Sequence, residues 1–149
     1  LGQDYEGLKL LTISVPFTFT DAGVATTDDP DEIARQEIIN ILMTEKYERV
    51  MDPSYGAGTA RLLFQTLDSL VVADYKEETL AHLNRHLSNC VVTALNITDK
   101  PPDGSWSGPG DPEATLYVNA QYRLNSSLTS STLSMSLVNP NTVNVFTPL

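Results

Sequence analysis

Leu116, Val118, Ala120, Tyr122 and Leu124 alternate with Tyr117, Asn119, Gln121 and Arg123. A period of two sends alternate side chains to opposite faces of a strand, so the chain must at least build a sheet with one buried face. The pattern returns downstream: Leu133, Met135 and Leu137 alternate with Ser134, Ser136 and Val138, and Thr142 to Phe146 is also strand-prone. From Ala114 to Leu149 the only charged side chain is Arg123, and no proline interrupts Ala114 to Val138. Free sheet edges are ordinarily guarded by lysine, proline or inward charge, and this stretch lacks such guards. Two readings follow. The strands carrying Leu116, Val118, Tyr122, Leu133, Met135 and Leu137 complete a sheet with a neighbouring subunit by strand addition, or they pair within this chain.

Upstream, Leu11, Ile13, Val15, Phe17 and Phe19 alternate with Thr12, Ser14, Pro16, Thr18 and Thr20, which predicts a strand with one buried face that is broken or edge-placed at Pro16. A turn at Asp21-Ala22-Gly23 leads to a short strand from Val24 to Thr26. Asp28 and Asp29 before Pro30, with Asp31 and Glu32 following, make a helix start: an acidic cap, proline in the first turn and negative charge at the positive end of the macrodipole. The helix is expected over Pro30 to Met43, with Ala34, Ile38, Ile41 and Leu42 on its docking face. A loop with a short strand at Glu48 to Met51 follows, then a short helix at Thr59 to Phe64. A longer helix runs from Ser69 to Leu87, capped by Asp68 and striped by Leu80, Leu83 and Leu87. A strand follows with Val91, Thr93, Leu95 and Ile97 on a common face, and a Pro/Gly-rich loop from Lys100 to Pro112 exposes Trp106. The fold class is α+β: a small mixed or antiparallel sheet packed against two main helices, with a strand-forming C-terminal tail. By composition the chain divides into a domain at 1–124 and a Ser/Thr-rich tail at 125–149.

Charge narrows the partners. Nineteen acidic against nine basic side chains give a formal net charge of -10, which opposes nucleic acid and anionic membrane surfaces. No apolar run approaches the roughly 20 residues that span a bilayer. The N-terminal residues lack the basic flank, apolar run and cleavage site of a secretory signal. The single cysteine, Cys90, leaves no intramolecular disulfide, and synthesis in a cytoplasm is the natural expectation.

Chemistry-bearing patterns are weak. His82 and His86 share a helix face with Cys90 four residues on, yet Leu83 stands where a zinc protease needs glutamate, so surface histidines are the expectation. Glu45, Glu48 and Asp52 form the nearest carboxylate cluster for acid/base work, against which stands a solvated group with Glu48 and Arg49 in local ion pairs. Gly56-Ala57-Gly58-Thr59 lacks the lysine of a phosphate loop, and tight turning explains its glycines. No catalytic residue, cofactor or metal is therefore assigned, and the chain is expected not to be an enzyme.

Val15-Pro16-Phe17-Thr18-Phe19, the turn at Gly23, the helix ending Ile41-Leu42-Met43-Thr44, the run Tyr47-Glu48-Arg49-Val50-Met51-Asp52-Pro53-Ser54-Tyr55-Gly56 and Leu62-Leu63-Phe64 together resemble one family. It is the small baseplate-wedge and sheath-initiator family of contractile phage tails, sometimes labelled tail lysozyme, with relatives in type VI secretion and extracellular injection machines. The resemblance spans about residues 11 to 124, and Glu48 to Gly56 is its most specific part. It implies a structural subunit present in several copies at the virion's tail baseplate, assembled in the host cytoplasm. Its partners would be wedge, sheath and tail-tube proteins. Glu48, Arg49, Pro53, Tyr55 and Gly56 are the partner-binding residues it implies, with Pro53 fixing a turn and Gly56 adopting a backbone angle closed to other residues. One departure stands out: where such proteins carry Glu-Pro-Arg to grip the wedge core, this chain has Ser88-Asn89-Cys90. An arginine's bidentate grip on a carboxylate is absent there. The alternatives are a peptidoglycan-degrading tail enzyme and an adaptor or head-completion protein on the same fold.

Overall fold

The computed structural model describes residues 11–15, 18–65, 68–99, 115–139 and 142–146. The Lys100 to Pro112 loop with Trp106, and Phe17, lie outside them. Four long or medium strands form one antiparallel sheet in the order β5 (Cys90–Thr98), β6 (Leu116–Leu124), β7 (Ser130–Asn139) and β8 (Thr142–Phe146). Helix α1 (Pro30–Met43) and helix α2 (Ser69–His86) pack on this sheet, with a 3-10 helix at Thr59–Phe64 between them in sequence. The class is α+β.

The α1 start follows from its local chemistry. The Asp29 side chain accepts from the Asp31 N–H at 3.0 Å, and Pro30 occupies the first turn. Ile33, Ala34, Ile38, Ile41 and Leu42 are buried, so the predicted docking face is the observed one with Ile33 added. Asp68 sits at the cap position of α2 but makes no side-chain cap bond. Leu83 and Leu87 are buried, and Leu80 is half-buried against the core.

In β6, Leu116, Val118, Ala120 and Tyr122 all face the core, and in β7 so do Leu133, Met135 and Leu137. β6 pairs with β5 along one edge and with β7 along the other, and β7 pairs in turn with β8. The compositional break after Leu124 is therefore not a packing boundary: the Ser/Thr-rich segment supplies two strands of the same sheet and three residues of the same core. β8 reaches only as far as Ser134, so the outer edge of β7 from Ser130 to Leu133 is not covered by it.

Three local expectations are corrected. In β5 the register shifts between Val92 and Ala94, which makes Thr93 an extra residue. The buried set is Cys90, Val92, Leu95 and Ile97, while Val91 and Thr93 face solvent, because a bulge exchanges the faces on either side of it. The predicted strand at Leu11 to Phe19 is instead two short pieces, β1 (Thr12–Ile13) and β2 (Phe19–Thr20). They pair with β4 (Thr26–Thr27) and β3 (Gly23–Val24) in a ribbon. Its apolar face is not buried: Leu11, Ile13, Val15 and Phe19 are exposed, Phe19 by 84%. The Gln36 amide of α1 lies between the Ile13 carbonyl and the Val15 N–H, and with its nitrogen turned to the former at 3.1 Å and its oxygen to the latter at 3.3 Å it satisfies both. Finally, Glu48 to Met51 is not a strand, since its backbone groups serve the loop described next.

Candidate partner-binding site

The five residues singled out by the sequence motif lie in one loop, Glu45 to Gly58, that leaves α1 and returns to the 3-10 helix. Thr44 closes α1, its N–H and its hydroxyl both donating to the Asn40 carbonyl, at 3.0 and 2.6 Å. The Glu48 carboxylate then turns back to accept from the Glu45 N–H at 2.9 Å, and the Glu48 N–H donates to the Glu45 carbonyl at 3.2 Å. The Pro53 carbonyl accepts from the Tyr47 N–H at 2.9 Å, which pins the two ends of the loop tip together. Tyr47 sits at φ 70, a left-handed angle that costs a non-glycine residue about 1–2 kcal/mol. The outcome is an ordered tip on which Tyr47, Val50 and Met51 are 82%, 94% and 96% exposed.

The return of the loop is built on α2. The Arg49 guanidinium lies 3.7 Å from the centre of the Tyr55 ring, a cation–π contact. Tyr55 meets His86 edge-on at 5.3 Å and 78°, and His86 lies 4.4 Å from His82. His82 accepts from the Gly56 N–H through Nε2 at 3.1 Å. Gly56 has φ 105, and a Cβ there would lie 2.3 Å from the Thr44 carbonyl oxygen, so no other residue fits. The Ala57 and Gly58 N–H groups donate to the Ile41 and Thr44 carbonyls, each at 2.9 Å, sealing the loop to the end of α1.

The histidines are thus packing elements of the loop and not solvated surface groups. Burial, followed by His86, Lys46 and Arg85, holds the His82 pKa below its usual value. The Ser54 hydroxyl, donating to Asp52 at 2.7 Å, holds that carboxyl below the ordinary range. Burial raises the Tyr55 phenol, and it raises Glu37, whose Oε2 has no hydrogen-bond partner. Behind Glu37, burial pushes the Cys90 thiol up to about 11, with Glu37 and Asp31 adding to the effect. Among the described residues no group of three or more His, Cys, Asp or Glu side chains is placed to hold a metal ion.

The carboxylate cluster is dispersed by its partners. Glu45 pairs with Arg61, Glu48 is spent on the Glu45 amide, and Asp52 on Ser54. Glu48 and Arg49, expected in local ion pairs, point to different partners, an amide and an aromatic ring. The histidines' role in holding the loop was missed in the sequence, because Gly56 and His82 are 26 positions apart. The one available signal was their spacing of four, which puts both on a single helix face.

The positions of the six strand residues are equally definite. Leu116, Val118 and Tyr122 lie in β6, and Leu133, Met135 and Leu137 in β7. All six side chains are buried, and both edges of β6 are occupied by strands of the same chain. The outer strands are β5 and β8. α2 runs beside β5, and its Asn84 amide donates to the Val92 carbonyl at 3.0 Å and accepts from the Val92 N–H at 2.8 Å. That pair of hydrogen bonds closes the β5 edge at Val92, which leaves β8 as the outer strand without such a cover among the described residues. Ser88 and Asn89, at the place of the departing motif, border a concavity of about 400 Å³ together with Asp28, Pro30, Ile33, Asn125 and Ser126.

Two solved structures have a fold similar to this antiparallel sheet with its two helices. One is a protein provisionally called a tail lysozyme from Geobacter sulfurreducens, at 19% identity and a TM-score of 0.57, covering 74% of this chain and 92% of that one. The other is a chain of the anti-feeding prophage baseplate, at 22% identity and a TM-score of 0.54, covering 76% and 82%. The resemblance read from the motif between Val15 and Phe64 thus has counterparts among solved folds. No protein-family model and no curated protein matches the chain.

Proposed function

We propose that this chain is a non-enzymatic structural subunit of a contractile-tail baseplate, a wedge or sheath-initiating component that binds wedge and sheath proteins. Two contacts carry the role. The outer edge of β8, with the stretch of β7 from Ser130 to Leu133 that no described strand covers on that side, accepts a strand from a neighbouring subunit. The ordered tip bearing Tyr47, Val50 and Met51 docks on a second neighbour, with Glu48, Arg49, Pro53, Tyr55 and Gly56 holding it in shape. The observation that carries the reading is the contrast between the two sheet edges: β5 is capped at Val92 by Asn84, and β8 carries no charge of its own.

The test is assembly of particles with Asn144→Lys, which puts a charge into β8. We expect baseplates that incorporate the protein and fail to polymerise sheath. Sheathed tails at unaltered yield would remove strand addition, and absence of the protein from purified particles would remove the baseplate role. Deleting residues 126–149 is no substitute, because it strips Leu133, Met135 and Leu137 from the core.

The name of the Geobacter neighbour prompts an enzymatic reading. Hydrolysis of a sugar bond needs two carboxyl groups across a cleft. Two concavities among the described residues, of about 400 and 370 Å³, present one carboxylate each, Asp28 in the first and Asp99 in the second. Clearing of a peptidoglycan suspension by the purified protein, abolished by Glu48→Gln, would establish the enzyme instead.

A further inference from the structure

Three successive N–H groups fasten the end of the loop. Those of Ala57 and Gly58 reach backbone carbonyls of α1, but that of Gly56 reaches a titratable acceptor, His82 Nε2. A neutral imidazole accepts only at the nitrogen that carries no proton, so His82 bears its proton on Nδ1. An imidazolium has two donors and no acceptor. A proton added at Nε2 therefore sets one N–H against another, at a glycine packed so closely on the end of α1 that a Cβ there would lie 2.3 Å from the Thr44 carbonyl oxygen.

The groups around His82 divide by sign. Lys46 on the loop, Arg85 on α2 and the His86 ring at 4.4 Å oppose a second positive charge. Asp52 on the loop and Glu78 on α2 favour it, but Glu78 is bound by Lys46 and Asp52 by Ser54. Further out, Arg49 lies over Tyr55, Glu45 is paired with Arg61, and Glu37 of α1 faces Tyr55. Burial is the largest part of the opposition, and together with these charges it holds the His82 pKa below its usual value.

We infer that His82 is a proton-operated latch: its neutral ring holds the Glu45–Gly58 loop closed, and mild acid releases the loop and with it the fixed presentation of Tyr47, Val50 and Met51. The inference stands on the Gly56–His82 bond and is independent of any role in tail assembly. Released, Gly56 turns its N–H to water, and the stack from His86 through Tyr55 to Arg49 loses its footing on α2.

Residue-resolved amide exchange on the full chain, corrected for intrinsic rates, reads the latch directly. Between about pH 7.5 and 5 the protection of Gly56, Ala57 and Gly58 should fall relative to Val118 and Ala120 in β6. The fall should approach about tenfold per pH unit once below the ordinary histidine pKa. His82→Gln supplies a neutral acceptor and should flatten that dependence. A protection ratio constant across the range in the unaltered protein, or undiminished pH dependence in His82→Gln, would overturn the latch. Should His82→Gln fail to fold, nitrogen NMR of the unaltered protein at neutral pH decides: a proton on Nδ1 is required, and one on Nε2 sinks the idea.

Discussion

Asn84 grips the Val92 peptide from both sides, its amide nitrogen 3.0 Å from the carbonyl oxygen and its amide oxygen 2.8 Å from the N–H. A side chain on α2 thus imitates the next strand of the sheet at the point where β5 bulges. Asn84→Ala should lower stability by about 1–2 kcal/mol through the lost pair of bonds. It should also make the protein associate through β5, which light scattering at increasing concentration would reveal alongside a urea melt. A variant that melts earlier but scatters no more would show that the grip is not an edge guard.

Gly56 and Gly23 separate space from backbone angle. Both have positive φ, 105 and 121, but a Cβ at Gly56 meets the Thr44 carbonyl whereas one at Gly23 meets nothing within 4 Å. Gly23→Ala should cost about 1–2 kcal/mol for the angle alone. Gly56→Ala should cost more than about 3 kcal/mol, because the loop must also move. Urea denaturation of the two variants side by side gives the comparison.

Tyr122 lies between Arg35 and Asp31, receiving a hydrogen bond from Arg35 Nε at 2.9 Å and donating one to Asp31 at 2.7 Å. Burial first, and then the bond to Asp31, push its pKa up to about 12. A phenol whose folded pKa lies above its unfolded value near 10 adds stability below pH 10 that is lost as pH rises towards 12. Tyr122→Phe should melt lower at neutral pH and lose less stability between pH 10 and 12. Equal alkaline losses in both proteins would contradict the assignment.

Cys90 is 1% exposed, and burial pushes its thiol up to about 11. The thiolate is the reactive form, so the folded protein should resist alkylation at about pH 8 and become reactive when urea unfolds it. Mass spectrometry of iodoacetamide-treated samples checks this, and rapid labelling of the folded protein would show that the strand opens locally.

Met135→Ala should cost about 2–5 kcal/mol, the loss expected when a buried side chain leaves a cavity. A thermal or urea melt reads it. A change under about 0.5 kcal/mol would mean that β7 is not part of the core.

Local chemistry made most of this fold legible. The Asp29-Pro30 start, the Ile38-Ile41-Leu42 face and the alternation of β6 and β7 are each decided by neighbours close in the chain, and all three are as expected. The faces of β5 were misjudged because nothing in Val91-Val92-Thr93-Ala94 marks which residue will be the extra one. Alternation alone predicts burial of the Leu11–Phe19 face, yet Leu11, Ile13, Val15 and Phe19 are exposed, because alternation does not say which element will cover a face. The loop residues were recognisable as a motif. What holds them, the ring stack on α2 and the Gly56–His82 bond, depends on contacts across long stretches of chain.

That outward-facing ribbon governs how the isolated molecule behaves in a tube. Leu11, Ile13, Val15 and Phe19 are exposed, and the formal net charge of -10 opposes the approach of copies. Acidifying a sample towards the isoelectric point of about 4.4 that the sequence implies removes that repulsion while the greasy strip stays in place. Purification is best kept well above that point and at low ionic strength, where colloidal repulsion reaches furthest.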